Sequence, residues 1–422
     1  GPLVMEQLPV KFAVSTCEHG GSYDPAQAWS SFSYVNGGAT DSASAATSLS
    51  TGYKANDGNI ATDNGDVNRL LTLTEYARMN DASAGVVSSV PFSHATPASF
   101  ASHNNSRNNY TAIAREMITS IGDGTGARGN TPTVNLVIGG GHPSWQSSYI
   151  STTEYAALAN GTTGQGWTFV QRQSGIDGTA SLANATSSNK LFGLFGGSGG
   201  NLEYRLANGS GANAENPTLA EMAVAAVTVL DRDPDGFFLL IEGGAIDWAS
   251  HSNNANQMIG ETIGFDEAVA AVVDWVDTVD PTWSETLLVV TADHETGYIT
   301  RASGQFASVA LANPGAGIVP TAGGTHFAWN STGHSNSLVP LFARGAGSEV
   351  LAEYATKADP VRGAYLDNTQ VANALQRAVA DEFHFTVTSG ARGYATEFDS
   401  VLLGMMARVG GIGAFHVLAG DI

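Results

Sequence analysis

Three residues whose side chains commonly bind metal ions follow directly after a short apolar segment. Residues 237–241 are all apolar, which predicts a buried strand, and Glu242, Asp247 and His251 come next. Asp247 and His251 are four residues apart, so a helix here would place both side chains on one face, where they can bind one ion. Glu242 lies at the end of the strand, where its carboxylate is available to bind a second ion. The segment therefore predicts a metal site at the carboxyl end of a strand.

A second apolar run ends in the same way. Residues 287–290 are apolar, and Asp293 and His294 follow them. A single Asp-x-x-x-His pattern is most often a surface turn. Two ligand clusters that each follow a strand favour one shared site, because open α/β sheets gather their sites at the carboxyl ends of strands. This arrangement is typical of a multi-metal hydrolase.

The elements that must position these residues alternate along the chain. Apolar runs predict strands at 84–90, 134–138, 191–195, 237–241, 287–290 and 338–343. Helical periodicity lies between them at 68–80, 110–120, 219–230, 261–279 and 369–381. Strand–helix alternation predicts an α/β fold with a mostly parallel central sheet, helices on both faces and loop insertions.

Composition excludes several classes of partner. The formal net charge is −21 and Lys and Arg together number 18, so we expect no nucleic-acid and no membrane partner. Cys17 is the sole cysteine, which excludes a disulfide within the chain and a thiolate zinc cluster. Metal must then be held by histidine and carboxylate. The longest apolar runs fall short of the roughly 20 residues that span a bilayer, and the first residues show no signal-peptide pattern.

Ser42 belongs to a run of small residues, 40–52, that enters a predicted helix. Near the first turn it would face unpaired backbone N–H groups, which suit a phosphoryl group. A serine in this position is most often only a helix cap. Taken with the two metal clusters, however, Asp41-Ser42-Ala43 closely resembles the nucleophile motif of the alkaline phosphatase family, which comprises metal-dependent phosphomonoesterases, many of them bacterial.

The resemblance continues in order along residues 7–380. Residues 94–98 resemble the segment that binds the family's third metal, and residues 332–335 resemble the one that carries its last metal histidine. The resemblance implies one zinc ion on Asp247, His251 and His334, a second on Asp293, His294 and the Ser42 oxygen, and magnesium near Glu242 and Thr96. It implies that Arg107 binds phosphate, since a guanidinium suits two phosphate oxygens. His94 and Trp248 match variable positions close to the bound phosphate.

The resemblance thus implies hydrolysis of small phosphate monoesters through a phosphoserine, by a periplasmic or secreted homodimer. A phosphodiesterase or sulfatase of the same superfamily is the alternative within this fold. Sulfatases need Pro and Arg just after the nucleophile, and residues 43–46 contain neither. A catalytically impaired homologue that binds phosphate or metal is the alternative from another class.

One family feature has no counterpart where it is expected. Family members open with a strand ending in Gly-Asp-Gly, whose aspartate bridges the second zinc and the magnesium, whereas residues 1–10 resemble a later segment. Residues 122–124 are Gly-Asp-Gly but are expected to form a turn. The apolar run 414–422 ends in Gly-Asp-Ile, so Asp421 is a second candidate. We therefore expect a catalytic domain at 1–384 and an extension at 385–422 that could add a strand to the sheet.

The remaining histidines and one acidic loop are expected to be structural. The histidines are His19, His103, His142, His326, His384 and His416. Asp57, Asp63 and Asp66 indicate a solvated loop, with calcium binding left open.

Overall fold

The computed structural model describes residues 2–120, 132–301, 327–381 and 415–420. The strands are β1 (Val10–Ser15), β2 (Ser83–Pro91), β3 (Leu136–Gly140), β4 (Thr168–Gln171), β5 (Leu191–Leu194), β6 (Phe237–Gly243), β7 (Leu287–Thr291), β8 (Glu295–Thr296), β9 (Ile299–Arg301), β10 (Phe327–Trp329), β11 (His334–Ser335), β12 (Val339–Gly345), β13 (Lys357–Asp359), β14 (Gly363–Asp367) and β15 (Phe415–Gly420). The helices are α1 (Pro25–Ala28), α2 (Phe32–Val35), α3 (Ser42–Thr51), α4 (Leu73–Met79), α5 (Ala95–Ala101), α6 (Tyr110–Thr119), α7 (Thr152–Ala159), α8 (Gly178–Ala185), α9 (Leu219–Leu230), α10 (Ala245–His251), α11 (Ala255–Val279), α12 (Val350–Tyr354) and α13 (Asn368–Asp381).

One large sheet organises the described residues. Its eleven strands lie in the order β13-β14-β1-β12-β7-β15-β6-β2-β3-β5-β4. Within the described ranges, β12 and β13 run antiparallel to their neighbours, and every other pairing in this sheet is parallel. The prediction of a mostly parallel α/β sheet is confirmed.

Both faces of the sheet are covered by helices, because side chains of the central strands alternate between two apolar clusters. Leu240 and Val289 pack on one face with buried residues of α3, α5, α6 and α13. Leu239 and Val290 pack on the opposite face with α9 and α11. Burying each such side chain contributes about 1.5–3 kcal/mol, so this double covering accounts for the continuous apolar strand sequences.

Strand β15 lies in the middle of the sheet, between β6 and β7. It is parallel to both, and its residue Ala419 is in register with Glu242 on one side and Thr291 on the other. The carboxyl end of β15 therefore lies between the ends of the two strands that precede the predicted metal ligands. The next residue, Asp421, lies outside the described residues, as does the segment 122–124.

Several element boundaries differ from those expected from periodicity. Helix α4 begins at Leu73 rather than near residue 68, because Thr72 and Glu75 form a reciprocal capping box at its start. Helix α11 begins at Ala255 rather than 261, where Asn254 caps a first turn that has no apolar pattern. Within the described residues, no helix is both long and apolar enough to cross a membrane.

Candidate active site

The predicted site residues come from the carboxyl ends of central strands and from the start of one helix. Strand β6 ends at Gly243 and leads into α10, whose first turn contains Asp247 and whose last residue is His251. Strand β7 ends at Thr291, two residues before Asp293. Ser42 is the first residue of α3, all of whose residues are buried. The fold therefore brings together side chains from three distant parts of the sequence.

Asp247, His251 and His334 form the first part of the site. His251 Nδ1 donates to the Thr332 carbonyl oxygen at 2.6 Å, and His334 Nδ1 donates to the Thr40 carbonyl oxygen at 2.7 Å. The two Nε2 atoms then lie 3.1 Å apart, and both face Asp247 Oδ1, at 3.2 and 3.4 Å. Two imidazole lone pairs this close to each other and to a carboxylate repel unless a cation lies among them.

The pKa values of these three groups also indicate that the site attracts positive charge. Hydrogen bonding to Asp247 raises the pKa of His251, and for His334 the same carboxylate outweighs burial and also raises the pKa. Burial opposes ionisation of Asp247, but hydrogen bonds with His251 and His334 hold its pKa well below the usual range. Without a metal ion, protons supply the positive charge that the carboxylate attracts.

His294 and Ser42 form the second part of the site. Ser42 Oγ lies 2.9 Å from His294 Nε2, and Asp293 Oδ2 lies 3.2 Å from the same nitrogen. The ring of His294 stacks on that of His334 with centroids 3.5 Å apart, which joins the two parts. Burial lowers the pKa of His294 to about 4, so its imidazole is neutral and able to act as a ligand.

Glu242 and Thr96 lie beside the second part. Glu242 is 2% exposed and accepts a hydrogen bond from Ser88 Oγ on the neighbouring strand β2. Burial raises its pKa to about 8, and the negative charge of Asp293 contributes to this rise. Thr96, in the first turn of α5, is close enough for its hydroxyl to lower the pKa of Glu242, although the two side chains do not meet the distance and angle of a hydrogen bond. An acidic pair this deeply buried is stabilised by a divalent cation.

The donor set fits metal ions on independent geometric grounds. One ligand atom from each of Asp247, His294 and His334 lies within 4.8 Å of the other two. Within the described residues, Thr96 Oγ1 and Asp293 Oδ2 are buried and have no hydrogen-bond partner. Coordination to an ion would satisfy both oxygens. Histidine with carboxylate suits zinc, and a carboxylate with a hydroxyl suits magnesium.

Arg107 is held next to the serine through Asp41. Asp41 caps α3 by accepting from Ser44 N, and its other oxygen accepts from Arg107 Nη1 at 2.9 Å and from Gly58 N at 3.1 Å. Burial opposes its ionisation, but Arg107 and these hydrogen bonds lower the pKa of Asp41. Because Asp41 directly precedes Ser42 in the chain, this pairing brings the guanidinium of Arg107 to the start of α3.

His94 and Trp248 lie together at the partly exposed margin. Their ring centroids are 5.4 Å apart, and the ring of Tyr110 stacks on His94 at 6.0 Å. Tyr149 packs edge-on against Tyr110 at 4.8 Å. Burial lowers the pKa of His94 to about 3, and Arg107 contributes to the lowering. These rings form an aromatic surface near Asp247.

Three residues that support this geometry were not singled out from the sequence: Ser88, Tyr110 and Thr296. Asp41 was recognised only as part of the motif around Ser42, and its pairing with Arg107 was not predicted. The other three are recognisable only after distant parts of the chain are brought together.

The residues expected to be structural lie in ordinary surroundings where the structure describes them. His103 is buried between Glu75 and Glu116, and His142 Nε2 lies 2.8 Å from Gln171 Oε1. Asp63 Oδ1 accepts hydrogen bonds from three backbone N–H groups of its own loop, and Asp63 Oδ2 accepts from Asn68 Nδ2, so both oxygens are occupied without an ion. His326, His384 and the side chain of His416 lie outside the described residues.

Fold and site together define an α/β protein in which a buried serine contacts one histidine of a His/Asp group that could hold a metal ion. Residues 24–318 match the family profile described as alkaline phosphatase. This chain belongs to the alkaline phosphatase family.

Individual relatives support this membership. Alkaline phosphatase 3 of Bacillus subtilis is 32% identical over 258 residues, which cover 61% of this chain and 49% of that protein. Alkaline phosphatase 4 of the same organism is 29% identical over 262 residues, covering 62% and 50%. The chain thus spans about half the length of these relatives.

Solved structures support the fold over a larger part of the chain. The cold-active alkaline phosphatase of a psychrophilic Shewanella species is 25% identical, with a TM-score of 0.63 over 89% of this chain and 91% of that one. The alkaline phosphatase of the Antarctic bacterium TAB5 is 23% identical, with a TM-score of 0.62 over 90% and 91%. The second likeness shows the fold alone.

Proposed function

We propose that this protein hydrolyses phosphate monoesters at alkaline pH through a covalent phosphoserine at Ser42, with two zinc ions and one magnesium ion. The observation that carries the proposal is the 2.9 Å separation of Ser42 Oγ from His294 Nε2, inside the group formed with Asp247 and His334. A buried serine hydroxyl beside the neutral imidazole of His294 supports a role for Ser42 as the nucleophile that attacks phosphorus.

The chain's own residues bind the phosphoryl group and provide the attacking oxygen. In the first step the bond from Ser42 Oγ to phosphorus forms while the ester P–O bond breaks, and the alcohol leaves. In the second step water attacks phosphorus, the bond to Ser42 Oγ breaks, and inorganic phosphate is released. Bound zinc ions would supply Lewis-acid stabilisation of the attacking and leaving oxygens.

Arg107 holds the phosphoryl group during both steps. Its guanidinium already pairs with Asp41 through Nη1, so it is oriented before substrate arrives. A planar guanidinium can donate two hydrogen bonds to non-bridging oxygens and offset their negative charge. His94 and Trp248 would line the phosphate from the other side and adjust how quickly it leaves.

The remaining residues divide among three ions in the proposal. Asp247, His251 and His334 would bind one zinc, and Asp293, His294 and Ser42 the other. Glu242 and Thr96 would bind magnesium, which accounts for the unpaired Thr96 oxygen. A homodimer located in the periplasm or outside the cell is part of the same proposal and is based on family membership.

The test combines substrate comparison with trapping of the intermediate. We expect p-nitrophenyl phosphate to be turned over faster than bis-p-nitrophenyl phosphate or p-nitrophenyl sulfate, and radiolabelled phosphate to be trapped on Ser42 at acidic pH. Ser42→Ala should abolish trapping and most turnover. Ser48→Ala is the matched control, because Ser48 is also buried on α3 but its hydroxyl donates to the Ser44 carbonyl oxygen.

Two outcomes would replace the proposal with an alternative. Dominant diester or sulfate hydrolysis would identify a different hydrolase of the superfamily. Zinc and phosphate binding without turnover would identify a catalytically impaired homologue. Metal content measured by mass spectrometry on the purified protein decides whether the three-ion assignment holds.

A further inference from the structure

The hydroxyl of Thr296 contacts two residues of the proposed metal site. Strand β8, which contains Thr296, pairs antiparallel with β11, and this pairing sets Thr296 opposite His334. The side chain is fully buried. Its Oγ1 lies 2.6 Å from Asp247 Oδ1 and 3.3 Å from His294 Nδ1. One hydroxyl thus contacts a ligand from each of the two proposed zinc sites.

The direction of both hydrogen bonds follows from proton counting. A carboxylate oxygen can only accept, so Thr296 must donate its one hydroxyl proton to Asp247. Thr296 Oγ1 is then left as an acceptor, and His294 Nδ1 must carry the proton that it donates. A neutral imidazole protonated at Nδ1 has its lone pair on Nε2, which is the atom 2.9 Å from Ser42 Oγ.

We propose that Thr296 is a positioning residue that fixes the tautomer of His294 and the orientation of Asp247, and so couples the two zinc sites. The inference rests on the proposed metal site but not on any particular substrate. Such outer hydrogen bonds orient ligands and raise their affinity for the ion. Removal of the hydroxyl should therefore weaken zinc at both positions, although Thr296 itself binds neither ion.

Zinc affinity tests the proposal without reference to turnover. In Thr296→Val, which keeps the side-chain volume, both dissociation constants measured by competition with a chromophoric chelator should rise roughly 10–100-fold. Thr296→Ser should restore them, because it retains the hydroxyl. Thr291→Val is the matched control: Thr291 is equally buried at the end of β7, but its hydroxyl donates to the Pro340 carbonyl oxygen, so zinc affinity should not change.

A second measurement on the unaltered chain keeps the proposal testable if Thr296→Val fails to fold. Nitrogen-15 NMR of histidine-labelled protein, with His294 assigned by its loss in His294→Gln, should show Nδ1 protonated both with and without zinc. An Nε2–H tautomer without zinc would overturn the proposal, as would unchanged zinc affinity in Thr296→Val. Failure of Thr296→Ser to recover affinity would also refute it. Absence of phosphatase activity with these zinc effects intact would instead refute only the proposed function.

Discussion

Glu242 gives this protein a stability that should depend on pH whenever metal is removed. Its carboxyl is fully buried, and its pKa rises from 4.5 to about 8, chiefly because burial disfavours the charged form. A folded-state pKa raised in this way stabilises the fold below about pH 4.5, where the group is protonated in both states. That stabilisation is lost progressively as the pH rises through about 8.

The size of the effect follows from the two pKa values. At about 1.4 kcal/mol per pH unit, a rise from 4.5 to about 8 corresponds to a loss of roughly 5 kcal/mol between acidic and alkaline solution. A bound divalent cation removes this loss because it replaces the proton. The affinity of the protein for this cation should therefore increase up to tenfold per pH unit until Glu242 is ionised near pH 8.

Unfolding by urea in the presence of a chelator measures the effect directly. Between pH 6 and pH 9 the unaltered protein should lose several kcal/mol more than Glu242→Gln, whose side chain cannot ionise but still accepts from Ser88. Glu267→Gln removes a half-exposed carboxylate on α11 that pairs with Arg205, and should behave like the unaltered protein. An equal decrease in the free energy of unfolding of the unaltered protein and of Glu242→Gln would show that Glu242 does not cause the pH dependence.

Further substitutions at three positions address the proposed phosphate-binding side of the site. Arg107→Lys removes the forked guanidinium, so the inhibition constant for inorganic phosphate should rise roughly 10–100-fold; an unchanged constant would exclude Arg107 from phosphate binding. Asp41→Ala should destabilise the protein by about 1–2 kcal/mol in urea unfolding, because it removes the cap of α3, whereas Asp41→Asn retains the cap and should cost less. Trp248→His should alter the rate of phosphate release, measured by burst kinetics, far more than it alters trapping of phosphate on Ser42; equal losses in the two measurements would contradict its assigned position.

The central sheet was predictable because its strands are buried on both faces and therefore have continuous apolar sequences. Strands β6 and β7 are of this kind, and each starts or ends within two residues of its predicted limits. Strands at the margin were missed for the same reason. In β1 and β14 only part of the strand is buried, so their sequences lack a continuous apolar run.

Strand ends were enough to predict the candidate ligands Glu242, Asp247, His251, Asp293 and His294, because these residues follow continuous apolar sequences. The resemblance to the family was needed to assign Ser42, Thr96 and His334. The partners of these ligands were not predictable from local sequence. Thr296 follows His294 by two residues, yet its role depends on the pairing of β8 with β11, which long-range packing determines. The start of α11, which Asn254 caps, was not predicted because its first turn shows no apolar periodicity.

The position of β15 has a consequence for biogenesis. Strands β6 and β7 are made long before it, yet β15 is inserted between them, so nascent chains carry two unpaired inner edges until residues 415–420 emerge. Unpaired parallel edges recruit other strands and promote aggregation, and pairings across so many residues form slowly. Expression of this protein should accordingly benefit from chaperones and slow synthesis, and the half-assembled sheet is the species on which its yield depends.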